Sequence, residues 1–178
     1  MSTRNALCLT LSLLILAPAL WAQGDSNPIN LGTPIDEADL AGFDLVAPPD
    51  GSGYPEGSGT AIEGSEVFAM RCAACHGMSG EGTSGNTVLV GGNMSSQDTP
   101  LRTVGSYWPH ASTVFDYIRR AMPADSPKSL SNEQVYKVTA YLLYLNGILE
   151  ESEELNAESL QQVVMPNADG FIDQSSIQ

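Results

Sequence analysis

The sequence predicts a small all-α fold, a bundle of three helices with an extended arm on each side. Three segments in the middle of the chain place apolar residues at helical spacing, and two of them open with a capping box. Signals for β-strands are weak along the chain. The flanking segments, 23–59 and 148–178, carry acidic residues but no basic ones, and this contrast separates the arms from the bundle.

Each helix has its own start and stop signals. The first is expected over 60–72 and opens with a Thr-x-x-Glu capping box. The second is expected over 112–121, and Met122-Pro123 ends it. The third is expected over 131–147, where a Ser-x-x-Gln box opens it and Gly147 stands at the C-cap. A loop rich in glycine and serine is expected between Gly77 and Gly105 and separates the first two helices.

An export signal is predicted over residues 1–22. One base, Arg4, precedes an apolar run that ends near Leu20, and a small residue precedes the expected cut before Gln23. The run is shorter than the about 20 residues that a membrane span needs, and Pro18 interrupts it. We therefore expect cleavage, export to the periplasm and no membrane span.

Residues 72–76 read CAACH, the C-x-x-C-H spacing that attaches a c-type haem. In such a motif two thiols bond to the porphyrin vinyl groups and the adjacent histidine ligates the iron. Because Cys8 leaves with the signal peptide, Cys72 and Cys75 are the remaining cysteines. The sequence predicts one covalent haem c per chain, attached through these two thiols, with His76 as an iron ligand.

Two other interpretations of the motif stay open. Two cysteines exported to an oxidising compartment can form a disulfide, but a thioredoxin-type redox pair needs a βαβ context that is missing here. A zinc site would need two more ligands, and the chain offers one further histidine, His110.

The sixth iron ligand decides between electron transfer and ligand chemistry. Met122 is favoured, because the long segment after His76 lets the chain cross the haem ring and Pro123 stiffens the ligand segment. A thioether there would close the iron, whereas an open site would admit peroxide or a gas. Met122 could instead fill a gap in the core. Three other ligands stay open: His110, Met165 and Met94.

Charge divides the exported chain into three parts. The arms 23–59 and 148–178 carry seven acids each and no base, while 60–147 carries seven acids and six bases. We expect 60–147 to be a nearly neutral haem domain between two acidic arms. The whole chain has a net charge of −14, so nucleic acid and anionic membrane surfaces are not expected partners. The arms either remain solvated or bind a partner protein.

Several stretches resemble known cytochromes. The order of helix, CAACHG, glycine-rich loop, Met-Pro segment and terminal helix resembles a class I c-type cytochrome. Five longer segments resemble a narrower group, the haem subunit of bacterial sulfite dehydrogenase and the cytochrome subunit of the thiosulfate-oxidising sulfur dehydrogenase. They are NLGTPI (30–35), VGSYWP (104–109), FDYIRRAMP (115–123), TAYLLYLNG (139–147) and MPNADGF (165–171).

The resemblance implies a class I cytochrome c-like bundle around one covalent haem, with Cys72, Cys75 and His76 at the attachment positions and Met122 at the second axial position. It also implies that the arms serve partner binding. A single motif fits the single-haem subunit better than a two-haem chain. Class I cytochromes often have a proline some ten residues after the haem histidine, and its carbonyl orients the imidazole. Here no proline lies between His76 and Pro100, so the acceptor of the histidine N–H is left open.

The expected function is one-electron transfer in the periplasm. The chain would accept electrons from the catalytic subunit of a sulfite- or thiosulfate-oxidising dehydrogenase and pass them to a downstream cytochrome or oxidase. By itself it makes no bond to substrate, so whether it counts as an enzyme depends on its partner. The alternatives are a freely diffusing electron shuttle and an open-site haem enzyme or gas sensor.

A few further side chains are candidates for contacts with the haem propionates. For each one, ordinary surface exposure or core packing is the alternative. The candidates are Arg102, Tyr107, Trp108, Arg119 and Arg120.

Overall fold

The computed structural model describes residues 32–40, 42–93, 100–172 and 174. The chain divides into two compact units, Met1–Asp36 and Glu37–Gln178. In the first unit the described residues, 32–36, contain no helix or strand. All helices and strands of the described residues belong to the second unit.

The second unit is helical, which confirms the predicted all-α class. Its two strands form one short antiparallel pair in which Ser58 faces Asn156 and Gly59 faces Leu155. No helix among the described residues is long and apolar enough to cross a bilayer. In chain order the elements are α1 Glu37–Leu40, β1 Ser58–Gly59, α2 Ala61–Arg71, α3 Ala73–His76, α4 Val104–Tyr107, α5 Ala111–Ala121, α6 Asn132–Leu145, β2 Leu155–Asn156 and α7 Ala157–Gln162.

The three expected helices are confirmed as α2, α5 and α6. Both expected capping boxes are present; in the first, the Thr60 N–H donates to Glu63 Oε2 at 3.0 Å and the Glu63 N–H donates to Thr60 Oγ1 at 3.3 Å. The stop of α5 is also as predicted, because Met122 is its C-cap. The end of α6 is shifted by one residue: Asn146 is the cap, and Gly147 follows it with a left-handed φ of 69°.

Two expectations about the irregular parts were wrong. Both arms were expected to be extended, but the N-terminal arm contains the single turn α1 and the C-terminal arm contains helix α7. The loop after the haem motif was expected to reach Gly105, but it ends earlier, where Thr103 opens α4 with a capping box of its own. Elements of four residues are too short to show an apolar period in the sequence.

Helices α2 and α6 form the centre of the core. Their backbones meet at Gly64, where a Cβ atom would lie 1.9 Å from the carbonyl oxygen of Lys137. One turn further along α2, the buried Phe68 ring lies 5.3 Å from the Tyr141 ring on α6. Without a side chain at position 64 the helices approach closely enough for these rings to pack.

Gly64→Ala is expected to lower the free energy of unfolding by about 1–3 kcal/mol, because the new methyl group must push α2 and α6 apart. Thermal or denaturant unfolding of the haem-loaded protein measures this change. Gly85→Ala is the matched control, since nothing lies within 4 Å of a Cβ at that position. Equal stability of the two variants would contradict the close approach of the helices.

Residues 45–59, which we call the N-terminal strap, lie against the helices of their own unit. Ala47 is only 2% exposed, and its N–H donates to Asp116 Oδ1 on α5 at 3.0 Å. Arg119 Nη1, also on α5, donates to the carbonyl oxygen of Leu45 at 3.1 Å. This half of the predicted arm is therefore part of the folded unit and stabilises α5.

The C-terminal segment after α6 also packs into the same core. Leu149, Leu155, Leu160 and Met165 are all buried, although acidic residues surround them in sequence. The strand pair β1–β2 joins this segment to the N-terminal strap. From Glu37 onward, the two acidic arms and the middle segment thus belong to one compact unit.

Candidate haem site

The CAACH motif lies at the junction of two helices. Cys72 is both the C-cap of α2 and the N-cap of α3, and its N–H donates to the carbonyl oxygen of Phe68 at 2.8 Å. The His76 N–H then donates to the Cys72 carbonyl oxygen at 3.0 Å, which closes a single helical turn. Residues three apart on such a turn share a face, so Cys72 and Cys75 can reach one flat group together.

The two sulfur atoms are free thiols in different surroundings. Cys75 is exposed, whereas burial raises the pKa of the Cys72 thiol to about 11. A thioredoxin-type pair needs a cysteine whose pKa is lowered, because the thiolate is the nucleophile. The thiol of Cys72 is protonated at neutral pH, so this cysteine lacks the lowered pKa of a redox-active thiol.

The zinc interpretation finds no donor cluster in the structure. Among the described residues, no group of three or more His, Cys, Asp or Glu side chains lies close enough to hold a metal ion. His110, the second histidine of the chain, is exposed at the N-cap of α5. The donor set at the motif, two thiols and one imidazole on one turn, fits a haem c.

The imidazole of His76 has a defined orientation. Its Nδ1 lies 3.0 Å from the carbonyl oxygen of Thr87. A carbonyl oxygen can only accept, so Nδ1 carries the hydrogen and Nε2 is left for an iron atom. Thr87 therefore supplies the acceptor that the sequence left open. Nothing in the sequence pointed to it, because any residue type offers a backbone carbonyl.

The loop after the motif folds back onto it. The Gly82 N–H donates to the His76 carbonyl oxygen at 2.7 Å, and the Leu89 N–H donates to the Gly80 carbonyl oxygen at 2.7 Å. The hydroxyl of Thr83 donates to the Cys75 carbonyl oxygen at 2.9 Å. These bonds keep the chain around Thr87 beside the haem histidine.

Among the described residues, several apolar side chains pack against the core while remaining partly exposed, and four of them are candidates for covering by a haem. Each is apolar, packs against the core on one side and remains half-exposed on the other, so a flat apolar group could cover it. They are Cys72, Leu89, Trp108 and Met122.

The candidates for the sixth ligand lie in different environments. Met122, the cap of α5, is half-buried, and its N–H donates to the Ile118 carbonyl oxygen at 3.1 Å. Met165 is only 2% exposed, with protein atoms covering its thioether. His110 is exposed at the opposite end of α5, and Met94 lies outside the described residues. Among the described candidates, Met122 best combines a fixed backbone with a partly exposed side chain.

The two aromatic candidates for haem contacts, Tyr107 and Trp108, each pack against another side chain. The guanidinium of Arg102 lies 5.0 Å from the centre of the Tyr107 ring. The Trp108 ring packs edge-on against Tyr117 at 5.7 Å. Contacts of Arg102, Tyr107 and Trp108 with haem propionates stay predictions.

The two arginines on α5 have protein partners. Arg119 Nη1 donates to the Leu45 and Gly53 carbonyl oxygens, at 3.1 and 3.3 Å. Arg120 makes a two-pronged ion pair with Asp116, one turn earlier on the helix. The bonds of Arg119 hold the N-terminal strap on α5, and propionate contacts of Arg119 and Arg120 stay predictions.

Comparisons with known proteins agree with this site. The model of the family described as cytochrome C oxidase, cbb3-type, subunit III matches residues 59–142. In the crystal structure of the sulfane dehydrogenase SoxCD from Paracoccus pantotrophus, one chain is 42% identical to this chain, with a TM-score of 0.77. The match covers 84% of this chain and 75% of that chain. No curated protein sequence matches.

The family match spans the CAACH turn, the loop that carries Thr87, and helices α2 and α5. The structural match extends well beyond that region. Together they establish the fold and the family: the chain is a c-type cytochrome of class I, an electron-transfer protein of a family whose cofactor is haem c, and it is related to a chain of the sulfane dehydrogenase SoxCD.

Proposed function

We propose that this chain is a single-haem cytochrome that accepts electrons from a dehydrogenase that oxidises sulfite or thiosulfate. The observation that carries this proposal is its 42% identity to a chain of a sulfane dehydrogenase over 84% of its length. That span is longer than the haem domain at 60–147, so the likeness includes parts of the arms.

The residues of the CAACH turn would hold the cofactor. Cys72 and Cys75 would form the two thioethers, and His76 Nε2 and the Met122 sulfur would ligate the iron. The bound haem supplies a centre that takes up and releases one electron at a time. The carbonyl oxygen of Thr87 accepts a hydrogen bond from the imidazole N–H of His76. The half-exposed apolar side chains named above would exclude water from the haem.

The exposed side of the motif offers a place for electron entry. Cys75 is exposed, so the haem edge attached to it would lie at the surface. Met70 and Met78, on either side of the motif in sequence, are 72% and 64% exposed. An apolar surface around a haem edge suits the small, transient interfaces of redox partners.

We also place the protein in the periplasm. The support is the pattern of an export signal over residues 1–22, which lie outside the described residues. The SoxCD structure supports a dehydrogenase partner and not a particular compartment.

The acidic C-terminal segment is the best candidate for guiding the partner. Glu150, Glu151, Glu153 and Glu154 follow α6 and are all exposed. The N-terminal strap is less suitable, because its contacts are made to its own unit. Deleting it would unfold the protein and would not report on docking.

The test uses ferric holoprotein and the catalytic subunit of a sulfite- or thiosulfate-oxidising dehydrogenase from the same organism. We expect substrate to reduce the cytochrome and the two proteins to co-purify. Changing the four exposed glutamates to glutamine is expected to slow reduction several-fold at low ionic strength, with the difference vanishing in high salt.

Glu66→Gln is the control, because it removes one exposed charge from α2 and leaves all four glutamates of the C-terminal segment in place. Reduction without a stable complex would favour the freely diffusing shuttle. If neither sulfur substrate supports reduction, the proposed donor is wrong.

A further inference from the structure

Asn146, the C-cap of α6, makes three hydrogen bonds with its side-chain amide. Oδ1 accepts from the Gly91 N–H at 3.1 Å, and Nδ2 donates to the Leu89 carbonyl oxygen at 3.2 Å. Nδ2 also donates to the Leu142 carbonyl oxygen of its own helix at 2.8 Å. One amide thus joins the end of α6 to the loop that follows the haem motif, more than fifty residues earlier in the chain.

The loop segment held by Asn146 is also held from two other directions. The Leu89 N–H donates to the Gly80 carbonyl oxygen at 2.7 Å, and its carbonyl oxygen accepts from the Val104 N–H at 3.2 Å. The first turn of α4 lies directly against the amide, because a Cβ at Gly105 would lie 2.5 Å from Asn146 Oδ1. The amide is partly buried, and its hydrogen bonds to Gly91, Leu89 and Leu142 set its orientation.

The segment held in this way leads directly to the haem histidine. Thr87 precedes Leu89 by two residues, and its carbonyl oxygen accepts from His76 Nδ1 at 3.0 Å. Thr87 itself is exposed. The position of its carbonyl therefore depends on the backbone bonds around it, and Asn146 makes two of them with Leu89 and Gly91.

We propose that Asn146 is a positioning residue for the axial imidazole. By holding the loop, it keeps the Thr87 carbonyl within hydrogen-bond distance of His76 Nδ1. This inference rests on the proposed role of His76 as an iron ligand. A hydrogen bond from Nδ1–H to a carbonyl makes the imidazole a stronger electron donor, which stabilises the ferric state. Losing Asn146 raises the reduction potential.

The test is Asn146→Leu, because leucine has the same number of side-chain heavy atoms in the same branched arrangement and none of them is polar. We expect the holoprotein to have a higher reduction potential, and we expect the ring N–H of His76 to exchange faster with solvent in NMR spectra of the reduced protein. Asn146→Ala is the second variant, because it cannot clash with α4 if the leucine prevents folding. The same two shifts are expected there.

Thr139→Val is the matched control. The Thr139 hydroxyl lies in the same helix and donates to the Val135 carbonyl oxygen at 2.7 Å, away from the loop. This variant is expected to lower the melting temperature and leave the potential and the exchange rate unchanged. An Asn146 variant that folds, binds haem and keeps both wild-type values overturns the inference. If His76 is not the iron ligand, the NMR spectrum of the wild-type protein would lack an iron-bound His76 ring. This outcome can therefore be distinguished from a failure of the inference about Asn146.

Discussion

Replacing Cys72 and Cys75 together with serine is expected to abolish covalent haem attachment. A hydroxyl cannot form the thioether, and the two thiols lie on one turn where they can reach the same ring. Haem staining after denaturing electrophoresis and intact mass spectrometry measure the loss. We expect wild-type protein to keep its haem in denaturant and the double variant to lose it.

The double variant is also expected to be less stable. The side chains of Leu89, Trp108 and Met122 are half-exposed. A haem that is bound only through its axial ligands can dissociate, so it would bury these side chains for less of the time than a covalently attached haem. Limited proteolysis and thermal unfolding check this second effect. Cys8→Ser is the control, since Cys8 belongs to the predicted signal segment and should alter neither result.

Two outcomes would contradict this account of the motif. One is a Cys72–Cys75 disulfide in haem-free wild-type protein that cycles with a thiol reductant at neutral pH. The raised pKa of Cys72 argues against it, because that thiol is protonated there. The other is covalent haem in the double variant.

The parts of the fold that could be predicted from the sequence are those with a local signal. Helices α2 and α6 open with capping boxes, and each is long enough to show an apolar stripe. Helix α5 was found from its stripe and from Met122-Pro123, where the next helical hydrogen bond is lost. The CAACH motif was recognised by its cysteines, but the turn α3 that carries it was not predicted, because four residues are too few to show a period.

The parts that could not be predicted depend on contacts between distant segments. The N-terminal strap is held by Asp116 and Arg119, and both bonds use backbone atoms of the strap, which any residue type would offer. The same is true of the carbonyl of Thr87. In the sequence, the arms were distinguished from the bundle by their charge. Charge describes composition and not position, and the burial of Ala47 and Met165 shows that both arms pack into the core.

The segment FDYIRRAMP shows how a recognised stretch acquires physical roles. Asp116 accepts from Ala47 of the strap and pairs with Arg120, while Arg119 donates to the Leu45 carbonyl. One helix face thus fastens the strap, and the helix ends at Met122. Helix α5 thus binds the strap and also ends at the proposed ligand. Contacts with the strap that stabilise α5 therefore also help to fix the position of Met122.

Met122→Ala is expected to open the iron. Without the thioether, the reduced protein should bind carbon monoxide rapidly, and its reduction potential should fall, because methionine ligation raises the potential of a haem. Reduced-minus-oxidised spectra with and without carbon monoxide measure the first effect, and potentiometry measures the second. Because the Met122 side chain is only half-buried, the cost in folding stability should be smaller than for a core methionine.

Met78→Ala is the control for the loss of a methionine, because that side chain is 64% exposed. Met165→Leu tests the other Met-Pro segment: its thioether is buried among protein atoms, so a swap of similar volume should leave carbon monoxide binding and the potential unchanged. Rapid binding of carbon monoxide by the wild-type protein would mean that the iron is open and would favour a haem enzyme or sensor. If Met165→Leu opens the iron and Met122→Ala does not, the sixth ligand is Met165 of the C-terminal segment. The packing of that segment would then control electron transfer.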